Sequence, residues 1–383
     1  MRRSISGIVL GAALAVGVTT PAAAAPDRAA LQQALDELAY AGAAGVQLQV
    51  NDALGAWTGT AGVASIEHGG AVPVGGRFRA GSITKMFVAT VVLQLVDESR
   101  VALDDPISQY LPRFGIDQRI TVRMLLQHTS GIFSYTGEPN PDGTVDPGIP
   151  VTGQEFVDTR FDTHPPAELV EFALRKPARF EPGTRWSYSN TNYQLLRLLI
   201  EKLTHTPYAV QVRHRILWPL GLHETLLPGT ATGVPGPHAH GYLTYPYAGT
   251  EKTVDVTRLN PSPAGAAGEI VSTTTDLDHF LTALLGGELL PADLLTQMRT
   301  GHPDSGYGLG LAELNTGPAC GGIYYGHGGD IQGYQSAVYG NDGGTRIAIS
   351  ITTGTVDMAD PASAKRYNDA ITKVLTVATC GMH

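Results

Sequence analysis

Ser82 and Lys85 lie three residues apart in Arg79-Ala80-Gly81-Ser82-Ile83-Thr84-Lys85-Met86-Phe87, where a polar turn runs into a long apolar segment. A serine hydroxyl becomes an effective nucleophile only when a neighbouring base takes its proton. A lysine can be that base only when burial disfavours its ammonium form. From Phe87 to Val96 the chain is apolar on nearly every side, the pattern of a helix enclosed by other elements. Residues three apart on such a helix share a face, so Ser82 and Lys85 can meet, and the free N–H groups of a helix start favour negative charge developing nearby. Taken alone, Ser-x-x-Lys equally describes an N-capping serine and a solvated first-turn lysine. Two facts weigh against that: the chain has only six lysines, and Lys85 alone has a serine three residues before it.

Two further segments carry chemistry of the same kind. Glu181-Pro182-Gly183-Thr184-Arg185-Trp186-Ser187-Tyr188-Ser189-Asn190 places a tyrosine and an asparagine two apart just before a predicted helix. Tyr325-Gly326-His327-Gly328-Gly329-Asp330 places a histidine and two glycines after a predicted strand. Read singly, Tyr188 is a partly buried aromatic with a satisfied hydroxyl and His327 a structural histidine. His128 is expected to be structural, and His238 and His240 lack the third ligand that a metal site needs, so no metal is expected. Tyr339-Gly340-Asn341 repeats Tyr-x-Asn by chance within a predicted hairpin and is set aside.

The elements that would position these residues follow from periodicity. A helix is predicted over Asp27 to Tyr40, then a hairpin of Gly45 to Val50 with Gly55 to Ala61, then the serine helix. A short helix capped near Thr121 runs to His128, and a Gly- and Pro-rich loop covers Ser134 to Thr163. Helices follow at Pro166 to Arg175 and Asn192 to Leu203, and irregular chain runs from Leu227 to Pro263. Beyond helices at Thr275 to Leu285 and Pro291 to Met298, strands are predicted at Gly308 to Leu311, Ile323 to Gly326, Tyr334 to Tyr339 and Thr345 to Ile351. A helix closes the chain at Ala362 to Val377. The expectation is an α/β (α+β) fold: an antiparallel sheet flanked by helices, built from residues 25–87 and 264–383. A mainly helical domain, residues 88–263, is inserted into it, with the active site at their interface.

Together the three motifs resemble the serine β-lactamase and penicillin-binding protein superfamily, whose Ser-x-x-Lys is followed by Ser-Asp-Asn and Lys-Thr-Gly. Tyr188-Ser189-Asn190 and His327-Gly328-Gly329 look like the Tyr-x-Asn and His-x-Gly forms of the class C branch. The similarity is greatest to secreted D-alanyl-D-alanine carboxypeptidases and covers essentially the whole mature chain, including Leu125-Leu126-Gln127-His128-Thr129-Ser130-Gly131, Pro219-Leu220-Gly221-Leu222 and Ser272-Thr273-Thr274-Thr275-Asp276-Leu277. The resemblance implies the β-lactamase/transpeptidase fold and an acyl-serine hydrolase without cofactor, acting on a small peptide, ester or β-lactam. It implies that Ser82 attacks a carbonyl, that Lys85 and Tyr188 move the proton (with the base left open between them), and that Asn190 holds Lys85 and the substrate amide. It further implies that His327 completes the network near Tyr188, that Gly328 and Gly329 let the strand approach substrate, and that the N–H groups of Ser82 and Asp330 form the oxyanion hole. A carboxypeptidase acting on cell-wall peptides is the leading expectation, with an esterase, a D-aminopeptidase or a class C-like β-lactamase as alternatives. The chain departs from carboxypeptidases in having Gly328 rather than threonine between His and Gly, no arginine around Gly308 to Leu314, and an acid, Asp330, just after the motif. That predicts a pocket for an uncharged or amine-bearing group.

Composition bounds the setting. With 383 residues, 43% hydrophobic, the chain can form one large or two ordinary domains. Met1-Arg2-Arg3, the apolar Ile8 to Val16 and the Ala-rich stretch before Pro26 read as a secretory signal peptide over residues 1–24. Losing Arg2 and Arg3 takes the net charge from −9 to −9 − 2 = −11. An acidic chain without basic clusters excludes nucleic acid and anionic lipid surfaces as partners, and no later stretch is long enough to span a bilayer. A secreted monomer, extracellular or periplasmic, is expected, with Cys320 and Cys380 joined in a disulfide.

Overall fold

The computed structural model describes residues 27–140, 144–354, 356 and 360–380, and the expected export signal lies outside them. The frame is a six-stranded antiparallel sheet of β1 (Ala43–Asp52), β2 (Gly55–Gly62), β3 (Ala312–Asn315), β4 (Ile323–Ile331), β5 (Tyr334–Asn341) and β6 (Arg346–Thr353), in the order β2-β1-β6-β5-β4-β3. The N-terminal hairpin thus joins the C-terminal strands through β1 against β6, with Val46 opposite Ile351 and Leu48 opposite Ile349. β6 is buried along most of its length, as a central strand covered on both faces must be, whereas β5 alternates buried and half-buried residues.

On one face pack α1 (Arg28–Tyr40) and the closing α7 (Pro361–Cys380), through Leu31, Leu35, Val374 and Val377 against Val46 and Ile349. On the other lies a larger core that joins the sheet to the helices. It includes α2 (Thr84–Asp97), α3 (Val122–Gln127), α5 (Asn190–Thr204) and α6 (Thr274–Leu285), while the short α4 (Gly153–Thr159) packs in a smaller cluster with Tyr245 and Val256. α2 runs through the middle of this core. Eleven of its fourteen residues are buried, and Phe87 stacks on Phe280 of α6 with ring centroids 3.7 Å apart. A helix that is apolar all round has no solvent face to offer, and α2 is covered accordingly.

Three expectations are corrected. Gly308 to Leu311 is a tight turn rather than a strand, with the Gly308 N–H bonded to the Leu311 carbonyl at 2.7 Å. Gly310 takes φ +80 there, and a Cβ on it would sit 2.5 Å from that of Ala89 in α2, so the glycines serve close packing and the strand begins at Ala312. The chain from Leu227 to Pro263 contains a hairpin, Tyr242–Tyr247 with Thr250–Asp255, whose two-residue loop is Ala248-Gly249 with φ of 49 and 82. The loop from Ser134 to Thr163 holds a short pairing of Gly137–Pro139 with Val145–Pro147 as well as α4.

Cys320 and Cys380 form a disulfide that ties the end of α7 to the turn before β4, closing 60 residues of sequence separation. Opening it with the double Cys→Ser variant is expected to lower stability by about 4 kcal/mol, since the unfolded chain regains the freedom of that loop. Urea unfolding of the variant and the parent measures it, and equal midpoints would refute it.

Candidate active site

The turn before α2 sets the geometry. Gly81 to Ile83 form one turn of 3-10 helix, and Gly81 adopts φ +53 with the backbone of Asp330 packed against it. A Cβ on Gly81 would lie 2.8 Å from the Asp330 N, so glycine lets the turn and β4 touch. Ser82 is then left half-buried at the foot of a cavity, while Lys85, one turn on, is fully buried.

Lys85 Nζ has three oxygen neighbours: Ser82 Oγ at 2.9 Å, Asn190 Oδ1 at 2.8 Å and the Ala267 carbonyl at 2.7 Å. Burial without a carboxylate partner among the described residues holds its pKa well below the ordinary lysine value. Three oxygens suit both protonation states. The ammonium donates to all three, whereas the free amine donates to Asn190 and Ala267 and keeps a lone pair for the Ser82 hydroxyl. The Asn190 amide is oriented from its other end, where Nδ2 donates to Thr136 Oγ1 at 3.1 Å.

Tyr188 lies beside this pair, with Lys85 Nζ 4.7 Å from its ring centroid. Burial pushes its hydroxyl far above the usual tyrosine range, and a hydrogen bond with Ser82 offsets only part of that. A lysine with a lowered pKa supplies little charge to stabilise a phenolate, so the phenol stays protonated.

His128 holds the Tyr188 segment in place. It ends α3 in a left-handed conformation, φ 62, and its carbonyl accepts the Ser187 N–H at 3.0 Å. Its Nδ1 accepts the Ser189 N–H at 3.2 Å and faces Asn192 Nδ2 at 3.2 Å, whose amide is oriented by Ser130 at 2.7 Å. Two donors on Nδ1 put the proton on Nε2, and the ring lies 4.2 Å from that of Tyr188.

His327 lies within β4, which runs on to Ile331 past its predicted end at Gly326, and its hydrogen-bond partner is Tyr307. Its Nε2 bonds the Tyr307 hydroxyl at 2.8 Å and its Nδ1 the Gly328 carbonyl. Because a carbonyl only accepts, Nδ1 carries the proton and Nε2 accepts from Tyr307. Burial takes the His327 pKa down to about 3, so the ring is neutral. The network toward Tyr188 thus runs through Tyr307, which stacks edge-on to both Tyr188 and His327. A lone tyrosine at the start of a glycine turn gave no periodic or motif signal.

β4 pairs with β3 only as far as Gly326, so residues 327–331 present an edge unpaired by the sheet toward Gly81 and Ser82. Gly329 is where the strand meets the turn. A Cβ on it would lie 2.0 Å from the Ala80 carbonyl, which also accepts from Ser336 Oγ at 2.9 Å. The close approach that requires a glycine here is one of the protein's own backbone. Gly328 has space around it, its nearest neighbour being the Ser336 carbonyl at 3.9 Å.

Above Ser82 lies a cavity of about 120 Å³, walled by Tyr135, Phe156, Asn190, Pro263 and Ile331. Asp330 adjoins it from β4, but the expected acid does not face Ser82: strand alternation puts its side chain on the side of Gln335, opposite it in β5, which bonds Tyr367 of α7. Burial raises the Asp330 pKa, opposed by a hydrogen bond from Gln335. Among the residues lining the cavity is one arginine, Arg160, from the end of α4. It comes from a segment more than a hundred positions before Gly308 to Leu314, where no arginine stands.

The profile of the Beta-lactamase family matches residues 28–373, nearly all of the described chain. The chain belongs to this family. It is 29% identical over 314 residues to penicillin-binding protein 4 of Amycolatopsis lactamdurans, covering 75% of each protein. With PbpX of Bacillus subtilis (strain 168) it shares 28% identity over 243 residues, 61% of this chain, and spans about half the length of that protein, 53%. Among solved structures it is similar to a D-stereospecific amidohydrolase from Streptomyces sp., with 39% identity, a TM-score of 0.79 and coverage of 94% of this chain and 100% of that one. A D-amino acid amidase from Ochrobactrum anthropi SV3 follows at 27% identity, TM-score 0.75, with 91% and 97% covered. The family member described here is therefore a serine hydrolase of the β-lactamase fold, and its solved neighbours include amidases.

Proposed function

We propose that this β-lactamase-family chain is an amidohydrolase that cleaves amides or short peptides of D-amino acids carrying a free amine. The observation that carries the proposal is the protonated Tyr188 hydroxyl beside Ser82 and Lys85, placed to give its proton to a leaving nitrogen. Similarity to the Streptomyces amidohydrolase and the Ochrobactrum amidase supports the same substrate class.

In this proposal Lys85, as free amine, takes the Ser82 proton while Oγ bonds to the substrate carbonyl carbon. The carbonyl electron pair moves to oxygen, which the Ser82 and Asp330 N–H groups receive. The Lys85 ammonium is held by Asn190 Oδ1 and the Ala267 carbonyl. Tyr188, still protonated, passes its hydroxyl proton to the leaving nitrogen as the C–N bond breaks, and is reprotonated from Lys85. Water then attacks the acyl-serine, its proton returning to the same base, and the D-amino acid leaves with Ser82 restored.

The test compares kcat/KM for D-phenylalanine amide, its N-acetyl form, the L-amide and an N-acyl-D-alanyl-D-alanine peptide. The free D-amide is expected to lead, and Ser82→Ala to abolish turnover of all four. Turnover of the acylated peptide with an inert D-amide would replace this proposal with a carboxypeptidase.

A further inference from the structure

Arg160 is the one arginine or lysine among the residues that line the Ser82 cavity. The segment that bears it is pinned by Asn260. The Asn260 N–H donates to the Arg160 carbonyl at 2.8 Å, and its Nδ2 donates to the Phe161 carbonyl at 3.2 Å and to Thr163 Oγ1 at 2.9 Å. The His164 N–H donates to Ser262 Oγ at 3.0 Å. The guanidinium lies over Phe161, its Cζ 4.4 Å from the ring centroid, and one Nη1 hydrogen goes to the Val157 carbonyl at the end of α4. These contacts fix where the group is while using few of its five N–H donors. Its Nε is buried without an acceptor, and no carboxylate of the described residues reaches the guanidinium.

A half-buried guanidinium held rigidly, short of acceptors and facing a cavity is a site for an oxyanion, and its forked geometry matches a carboxylate. We propose that Arg160 is a specificity-determining residue that receives a carboxylate of the substrate, so that the favoured substrates are D-amino acid amides or peptides carrying both an ammonium and a carboxylate. This rests on the amidohydrolase proposal and adds to it. The amidohydrolase proposal calls for the amine, and Arg160 adds the requirement for a carboxylate. Two carboxylates have the right chemistry: the terminal carboxylate of a leaving residue, or the side-chain carboxylate of the residue acylated onto Ser82.

The experiment uses the full chain and two substrate pairs, each differing in one carboxylate. The leaving-side pair is D-Phe-D-Ala and D-Phe-D-Ala amide, followed by release of D-phenylalanine. The acyl-side pair is the α-p-nitroanilides of D-glutamate and D-glutamine. The quantity read is the kcat/KM ratio of carboxylate to neutral member, which does not depend on the fraction of each preparation that is folded. Arg160→Gln is expected to lower that ratio by roughly tenfold or more in one pair, and Arg160→Lys, which keeps the charge and loses the fork, to fall between. The pair that responds identifies which carboxylate is bound. Ratios equal for the parent and Arg160→Gln in both pairs overturn the role of Arg160 while leaving the hydrolase intact. Absence of turnover on all four substrates, matched by Ser82→Ala, overturns the amidohydrolase proposal and this one with it.

Discussion

Lys85→Ala is expected to slow acylation of Ser82 by roughly 10³-fold or more, and Lys85→Arg by as much. The argument turns on which protonation state does the work. Burial without a counter-carboxylate holds the Lys85 pKa well below its usual value, so the free amine is accessible. Arginine keeps the positive charge and can reach the same oxygens, but a guanidinium does not give up its proton and offers no lone pair to the Ser82 hydroxyl. If Lys85 acted only as a fixed charge, arginine would substitute for it. The same logic gives the pH profile: acylation should fall as pH drops through the lowered lysine pKa, because the ammonium donates to Ser82 Oγ where the amine would accept. Mass spectrometry of the acyl-enzyme formed from an activated ester, with Ser82→Ala as the zero, reads both effects. A Lys85→Arg enzyme acylating near the parent rate would sink the base assignment.

Much of this site was legible before any coordinates because its parts are local in sequence. Ser82 and Lys85 announce themselves through helical spacing at the head of an apolar run, and Tyr188 and Asn190 through their place just before a helix. The sheet frame was legible for the same reason, since β1, β2, β5 and β6 are periodic segments bounded by turn residues. What stayed hidden depends on contacts between distant segments. Tyr307 becomes part of the site only because a turn presses Gly310 against Ala89, which carries its hydroxyl to His327. Arg160 enters the cavity because Asn260, a hundred residues on, ties its segment down. The hairpin at Tyr242 to Asp255 escaped because its turn uses Ala248-Gly249 where Asn-Gly or Asp-Gly would have flagged left-handed residues. His128 was assigned a structural role, and its geometry gives that role content, because the turn carrying Tyr188 is hydrogen-bonded to it.

Tyr188→Phe is the second large effect: a fall in kcat of roughly 10²- to 10⁴-fold with KM nearly unchanged. Phenylalanine preserves the ring contacts with His128 and Tyr307, so the fold of the segment should persist and only the hydroxyl is lost. That hydroxyl sits by Lys85 and bonds Ser82, the place from which a proton can reach a leaving nitrogen. Two roles are distinguishable by titration. A phenolate base requires a pKa below the usual 10, whereas burial here drives the group the other way, which suits a proton donor. The ultraviolet difference spectrum of parent minus Tyr188→Phe, followed from neutral pH to about 10, should therefore show no tyrosinate from this residue. Leaving-group dependence supplies the second check. An amide expels a basic nitrogen and needs the donated proton, whereas an activated ester expels a stable anion and does not, so Tyr188→Phe should impair amide cleavage far more than ester cleavage. Equal losses on both substrates would place Tyr188 in the activation of Ser82 and leave Lys85 without a separate role as base.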